Sequence, residues 1–212
     1  MTLPLLIIVA YLLGSIPFGL LLTRFAGLGD IRATGSGNIG ATNVLRTGNK
    51  KIAALTLLLD VLKGAAAAWF AMHYLPPEMS LAGKPIPSYY AYLVGMAALL
   101  GHIFPIWLQG KGGKGVATYL GVLLGLCPFV FLITITNWLG LFYTKRISSL
   151  SALFSVAMVP LWLYIFTDII GALAGVVFAA LIFYTHRENI KRLLSGTEPR
   201  FAASTHASIE EE

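Results

Sequence analysis

Charge is scarce in this chain. Only 11% of its 212 residues are Asp, Glu, Lys or Arg, 57% are hydrophobic, and the mean hydropathy is +0.79. An ordinary soluble domain carries roughly 25% charged residues, so the composition excludes a water-soluble globule and points to a bilayer protein. Cysteine is almost missing too. Cys127 stands alone in an apolar run, which rules out an intrachain disulfide and leaves a small packing residue. There is no H-E-x-x-H helix, no set of paired Cys and His ligands, no aspartate cluster for magnesium and no G-x-S-x-G elbow. Metal enzymes and serine hydrolases are thereby disfavoured. A Walker A loop is absent as well, because in "QGKGGKGVAT" (Gln109 to Thr118) Gly115 is followed by Val116 instead of Lys.

What is present is a series of long apolar segments. Leu3 to Gly27 is long enough to cross hydrocarbon and lacks the basic start of a signal peptide, so it reads as a mature span. Further segments run over Ile52 to Leu75, Tyr90 to Leu108, Leu150 to Phe166 and Ile169 to Thr185. The remaining region, Val116 to Tyr143, is interrupted by "GLCP" at Gly125 to Pro128, a natural break. Charge decides whether it is one helix or two. Split in two, it puts every Lys and Arg on one side except Lys63, inside a span, and Lys84, in an opposite loop. The expectation is therefore an all-α polytopic bundle of seven transmembrane helices, with the N-terminus outside and the C-terminus cytoplasmic. Residues 1–198 form one membrane domain, and 199–212 form an acidic, disordered cytoplasmic tail.

The net charge of +6 does not suggest nucleic acid, since the basic residues are divided among short loops and do not line one face. Anionic lipids or phosphorylated substrates fit better. The first loop, "TGSGNIGATNVLRTGNKK", offers glycines (Gly35, Gly37) that let backbone amides approach an anion. It adds hydroxyls from Ser36 and Thr42, amides from Asn38 and Asn43, and a phosphate clamp from Arg46. "GKGGKG" sets Gly112, Gly113 and Lys114 directly before a helix whose N-terminal amides favour a negative group. His186 and Asn189 in "HRENI" are three apart, hence on one helix face; on spacing alone a ligand site and a basic helix end are equally good readings. Ser149 and Ser151 read as caps of the sixth span. Asp60 and Lys63 lie within the second span at i, i+3, where each neutralises the other as a structural ion pair. His102 in "GHIFP" is expected to orient the following glycine loop. A transporter would place its polar groups at mid-membrane, often with internal repeats, whereas these blocks gather at one face.

Taken in order, "GSGNIGATNVLR", "DVLKG", "GHIFPIWLQGKGGKGVAT", "SSLSA" and "HRENIKRLLSGTE" resemble the bacterial acyl-phosphate:glycerol-3-phosphate acyltransferases. The resemblance implies seven spans in the bacterial inner membrane and a cytoplasmic active site. It also implies transfer of a fatty acyl group from acyl phosphate to the sn-1 hydroxyl of glycerol 3-phosphate. The products are lysophosphatidate and inorganic phosphate, in the first acylation of phospholipid synthesis. The H-x-x-x-x-D arrangement of other glycerol-phosphate acyltransferases is missing. No cofactor or metal is implied, and the partners are fatty acyl phosphate, glycerol 3-phosphate and membrane lipid, with a monomer as the working unit. On this basis Arg46 and Lys114 are expected to neutralise phosphates. Ser36 and Asn38 with the neighbouring amides (Gly35, Gly37, Thr42) would fix one phosphate, with Gly112 and Gly113 in the second loop. His186 and Asn189 would orient glycerol phosphate, and Ser149 would add a hydroxyl. The proton acceptor stays open between His186 and the donor's phosphate oxygen.

Overall fold

Apolar helices dominate the chain, and the computed structural model describes residues 2–79, 83 and 85–201. The helices are α1 (Leu3–Gly14), α2 (Phe18–Phe25), α3 (Ala41–Leu45), α4 (Lys50–Tyr74), α5 (Tyr89–Ile103), α6 (Val116–Leu126), α7 (Pro128–Lys145), α8 (Ser148–Phe166), α9 (Ile169–Thr185) and α10 (Arg187–Leu194). One small departure from the all-α expectation is an antiparallel ribbon, β1 (Glu78–Met79) with β2 (Pro85–Ile86), between α4 and α5. Lys84, used in the charge count, and 202–212 of the expected tail lie outside the described residues.

The surface is inverted relative to a soluble protein. Leu58, Trp69, Phe129, Leu132, Leu139, Phe154, Leu173 and Val177 are exposed, as side chains facing lipid must be. Four segments are long and apolar enough to cross a membrane: Leu3–Phe25, Lys50–Tyr74, Tyr89–Leu108 and Ser148–Phe166. A fifth is the pair α9 and α10, bent by 68°. The protein is thus an integral, multi-pass membrane helix bundle. The break expected at "GLCP" is present, with Pro128 opening α7, where its missing N–H is harmless. The flanking helices are unequal: α6 has 11 residues and α7 has 18.

The first span crosses as one apolar segment, but its helix is broken at Ser15–Pro17. Pro17 disfavours helix in the preceding residue, which takes the Ile16 carbonyl out of the helical ladder and leaves it a single backbone donor, the Phe18 N–H at 3.1 Å. Lys63 donates to that carbonyl at 3.0 Å and lies 2.8 Å from Asp60 Oδ1. A buried cation therefore satisfies a backbone acceptor that hydrocarbon could not.

Helix association in a bilayer relies on close backbone approach, because lipid tails are as apolar as the side chains. The α4–α6 pair shows this. A Cβ on Gly64 would strike the Thr118 carbonyl, and one on Gly121 would strike the Val61 carbonyl. The same device joins α1 to α5 through Gly14 and Gly101. Between these seams lies a core of Leu6, Leu99, Leu123, Leu163 and Ile182, with Tyr119 stacked on Phe178 at 4.8 Å.

Two glycine substitutions should separate packing from intrinsic helix preference. Gly121→Val is expected to destabilise by about 1–3 kcal/mol or more through overpacking. Gly140→Ala in α7, where an added Cβ meets open space, should be neutral or stabilise by about 0.5–1 kcal/mol. Thermal unfolding midpoints in detergent would check both.

Candidate active site

A cavity of about 710 Å³ opens in the bundle, and four separated strips of sequence reach it. Gly35, Ser36, Asn38, Thr42 and Arg46 come from the first loop and α3, and Lys114 and Gly115 from the glycine loop. Ser148 and Ser149 come from the start of α8, while His186, Asn189 and Arg192 come from the α9–α10 corner. The opening residues of α6, α8 and α10 all line it, so three helix N-termini direct unpaired amides and partial positive charge toward one space.

The first loop is held in shape by Asn43, which is buried. Its amide nitrogen donates to the carbonyls of Ile31 (3.1 Å), Thr34 (2.9 Å) and Asn38 (2.8 Å), and its oxygen accepts from Ser36 N–H at 3.0 Å. The sequence reading offered this amide to a ligand; it is instead fully spent on the backbone. Gly35 and Gly37 adopt positive φ, 57° and 69°, which lets the loop double back around Asn43. Asn38 Oδ1 accepts from Gly40 N–H at 2.7 Å. Arg46 is solvent-exposed at the cavity, and its guanidinium makes no hydrogen bond among the described residues.

The glycine loop departs from the expected cradle. Gly37, Gly112 and Gly113 do not line the cavity. The positions 112 and 113 need glycine for packing, because a side chain there would strike the His102 carbonyl and the His102 ring respectively. His102 thus underlies the loop as anticipated, and with Asp60, 3.6 Å from its Nδ1, it also reaches the cavity wall. Only Lys114 brings charge from this loop into the space. Its Nζ donates to Asn189 Oδ1 at 2.5 Å, and its carbonyl accepts from Thr185 Oγ1 at 3.0 Å.

A residue not singled out in the sequence organises this end of the cavity. Glu198 accepts from Ser149 Oγ (2.6 Å), Asn189 Nδ2 (2.6 Å) and Arg192 Nε (2.7 Å). Ser149 and Ser151 were read as helix caps, but α8 has no side-chain cap: Ser149 serves Glu198, and Ser151 bonds the Ile147 carbonyl. Gly196, at φ 72°, stops α10, and the N–H groups of Thr197 and Glu198 turn back onto the Arg192 carbonyl. That stop signal, "SGTEP", was the available clue that the carboxylate returns to the site.

Burial pulls the Lys114 ammonium down to about 8; Glu198 opposes the shift, while Arg192 and Arg46 add to it. Burial likewise pushes His186 down to about 4, against a hydrogen bond from its Nδ1 to the Ile182 carbonyl at 2.8 Å. A carbonyl can only accept, so Nδ1 carries the proton and Nε2 of the neutral ring keeps its lone pair. Burial acts to raise the Glu198 carboxyl, but hydrogen bonds from Ser149, Asn189 and Arg192 outweigh it and hold the group below its ordinary range. Lys114 is thus a charged donor at neutral pH and His186 an uncharged acceptor.

Removing Glu198 leaves Ser149, Asn189 and Arg192 without their shared acceptor. Glu198→Ala is expected to destabilise the protein by about 2–4 kcal/mol, read as a lower unfolding midpoint in detergent, with Glu198→Gln intermediate.

Comparison with known proteins agrees with this geometry. A family model described as glycerol-3-phosphate acyltransferase matches residues 4–196. A glycerol-3-phosphate acyltransferase of Mesorhizobium japonicum is 54% identical over 93% of this chain and 95% of its own. One from Agrobacterium fabrum is 52% identical over 91% and 89%. Crystal structures of PlsY, an integral membrane glycerol 3-phosphate acyltransferase, superpose with a TM-score of 0.86 in the glycerol 3-phosphate form (42% identity, 94% of this chain and 96% of that one). The lysophosphatidic acid form gives 0.84 (41% identity, 94% and 95%). With one cationic cavity built from the strips that a full-length family match spans, the chain belongs to the glycerol-3-phosphate acyltransferase family.

Proposed function

We propose that this protein transfers a fatty acyl group from an acyl phosphate to the sn-1 hydroxyl of glycerol 3-phosphate, releasing lysophosphatidate and inorganic phosphate. The observation that carries this is the mixed lining of the cavity. Arg46, Lys114, Arg192 and three helix N-termini border it, and so do Leu57, Leu120, Ile135, Trp138 and Ala152. Leu57 is 47% exposed on the lipid-facing surface, so the apolar lining reaches the bilayer. A phosphorylated headgroup and an alkyl chain each find a suitable solvent there.

Lys114 and Arg46 neutralise the two phosphates, Ser36, Asn38 and Thr42 hold one of them, and Asn189 is turned by Glu198 so that its oxygen fixes Lys114. His186 Nε2 accepts from the neighbouring sn-2 hydroxyl of glycerol 3-phosphate and so orients the molecule, leaving the proton of the attacking hydroxyl directed at the donor's phosphate oxygen. The hydroxyl oxygen forms a bond to the acyl carbon, the bond from that carbon to the phosphate oxygen breaks, and the proton passes to the departing phosphate. Phosphate, with a second pKa of about 6 in ordinary esters, is a stronger base than a histidine held at about 4. Holding both anions together and stabilising the tetrahedral oxyanion supply most of the acceleration. Asp60 and Lys63 act structurally beneath the site.

Seven membrane passages, with the site and the C-terminus cytoplasmic in the bacterial inner membrane and a monomeric working unit, complete the proposal. Two features support the count. The glycine loop before α6 and the start of α8 border one cavity, and α6 packs against α7, so this pair goes out and returns. At 11 residues α6 covers only about 17 Å, and local thinning or burial against α4 accommodates it. The basic residues of all four strips then obey the positive-inside rule.

Purified protein given glycerol 3-phosphate and palmitoyl phosphate is expected to yield lysophosphatidate and phosphate in equal amounts; no turnover would overturn the donor assignment. In the same assay kcat/KM should fall as pH rises through about 8, because Lys114 loses its charge. Lys114→Arg should move that limb above pH 9, whereas His186→Gln should lower the rate without introducing an acid limb between pH 5 and 7.

A further inference from the structure

After α10 the chain runs along the cavity, and its two attachments are opposite in kind. Glu198 is tied to Ser149, Asn189 and Arg192. Three residues later Phe201 donates its N–H to the Arg146 carbonyl, 2.8 Å away, just beyond the C-terminus of α7. Its ring meets Phe142 edge to face, with centroids 5.5 Å apart and planes at 69°. Phe142 in turn stacks on Trp138, one turn earlier in α7, at 4.8 Å and 13°. Trp138 and Phe201 both line the cavity, as does Pro199.

Two cavity-lining rings from two segments, Trp138 and Phe201, are therefore joined through Phe142 into a single wall. Leu57 of α4 and Leu120 of α6 line the same cavity, and α4 and α7 make little direct contact, so the space between them stays open. The strap from Glu198 to Phe201 can reach about 10 Å at most, similar to the span from a phosphate to the first methylenes of an acylglycerol phosphate. Aromatic rings give a large rigid apolar surface at little entropic cost, suited to a flexible alkyl chain that must be held near its carbonyl.

We propose that Phe201 is a specificity-determining residue: with Trp138, to which Phe142 joins it, it forms the wall along which the first part of the acyl chain lies, so the strap sets how the chain enters the site. This rests on acyl transfer to glycerol 3-phosphate but not on the identity of the donor, since any donor gives the same acylated product. Without Phe201 the edge-to-face contact is lost and Trp138 is the only ring of the three left on the cavity wall. The headgroup contacts through Glu198 stay in place.

The test compares equilibrium binding of palmitoyl-glycerol 3-phosphate and of glycerol 3-phosphate to purified protein in phosphatidylcholine nanodiscs. Phe201→Ala should weaken the acylated compound about five- to tenfold and change glycerol 3-phosphate less than about twofold. Phe201→Leu, which keeps apolar bulk, should fall between Phe201→Ala and the parent. Combined with Trp138→Ala, the loss should be less than the product of the single effects, because the rings act as one wall. Equal weakening of both compounds, or no change in either, overturns the inference. Should Phe201→Ala fail to fold, Phe201→Leu carries the comparison, and a parent-like affinity ratio overturns it equally. A parent protein that binds neither compound overturns the functional assignment itself.

Discussion

The backbone contact between α4 and α6 is the constraint on which the rest depends. Lipid offers no hydrophobic reward for bringing two helices together, so the pair holds where Gly64 and Gly121 let carbonyl oxygens approach the facing helix directly. That contact fixes Asp60 on α4 relative to the start of α6, and with it the position of Lys114, which immediately precedes α6. A looser seam, kept apart by side chains, would leave the one cation of the glycine loop that reaches the cavity free to swing away from Asn189.

Buried charge is then used twice, for different purposes. Deep in the bundle, Lys63 satisfies the carbonyl that Pro17 releases from the broken first span, and Asp60 balances it. Each neutralises the other, which suits a structural task. Near the surface, Lys114, Asn189, Glu198, Ser149 and Arg192 form a chain of hydrogen bonds in which every charged end has a partner. Such a network rigidifies only while all its members are satisfied. A cation whose charge is partly desolvated and already oriented needs little rearrangement when a phosphate arrives.

Glycine has two separate jobs in the site strips. In the first loop, positive φ at positions 35 and 37 wraps the backbone around Asn43 and presents Ser36 and Asn38 to the cavity. In the second, Gly112 and Gly113 make room for the end of α5 and the His102 ring. Both loops look alike as strings of small residues, which is why reading them by one rule assigned an anion cradle to each. The distinction between a turn and a close approach depends on what packs against the backbone, and neighbours distant in sequence supply that.

Sequence by itself determined the membrane class, the break before Pro128, the pairing of Asp60 with Lys63 and the residue types that gather at the cavity, because hydropathy, proline stereochemistry and helical spacing are local properties. Tertiary structure alone decided that the first span breaks at Pro17, that Asn43 is spent on its own loop, and that Glu198 comes back to receive Ser149 and Asn189. Those outcomes depend on which donor meets which acceptor across tens of residues, and in a low-dielectric bundle an unmet polar group is expensive enough to choose the partner.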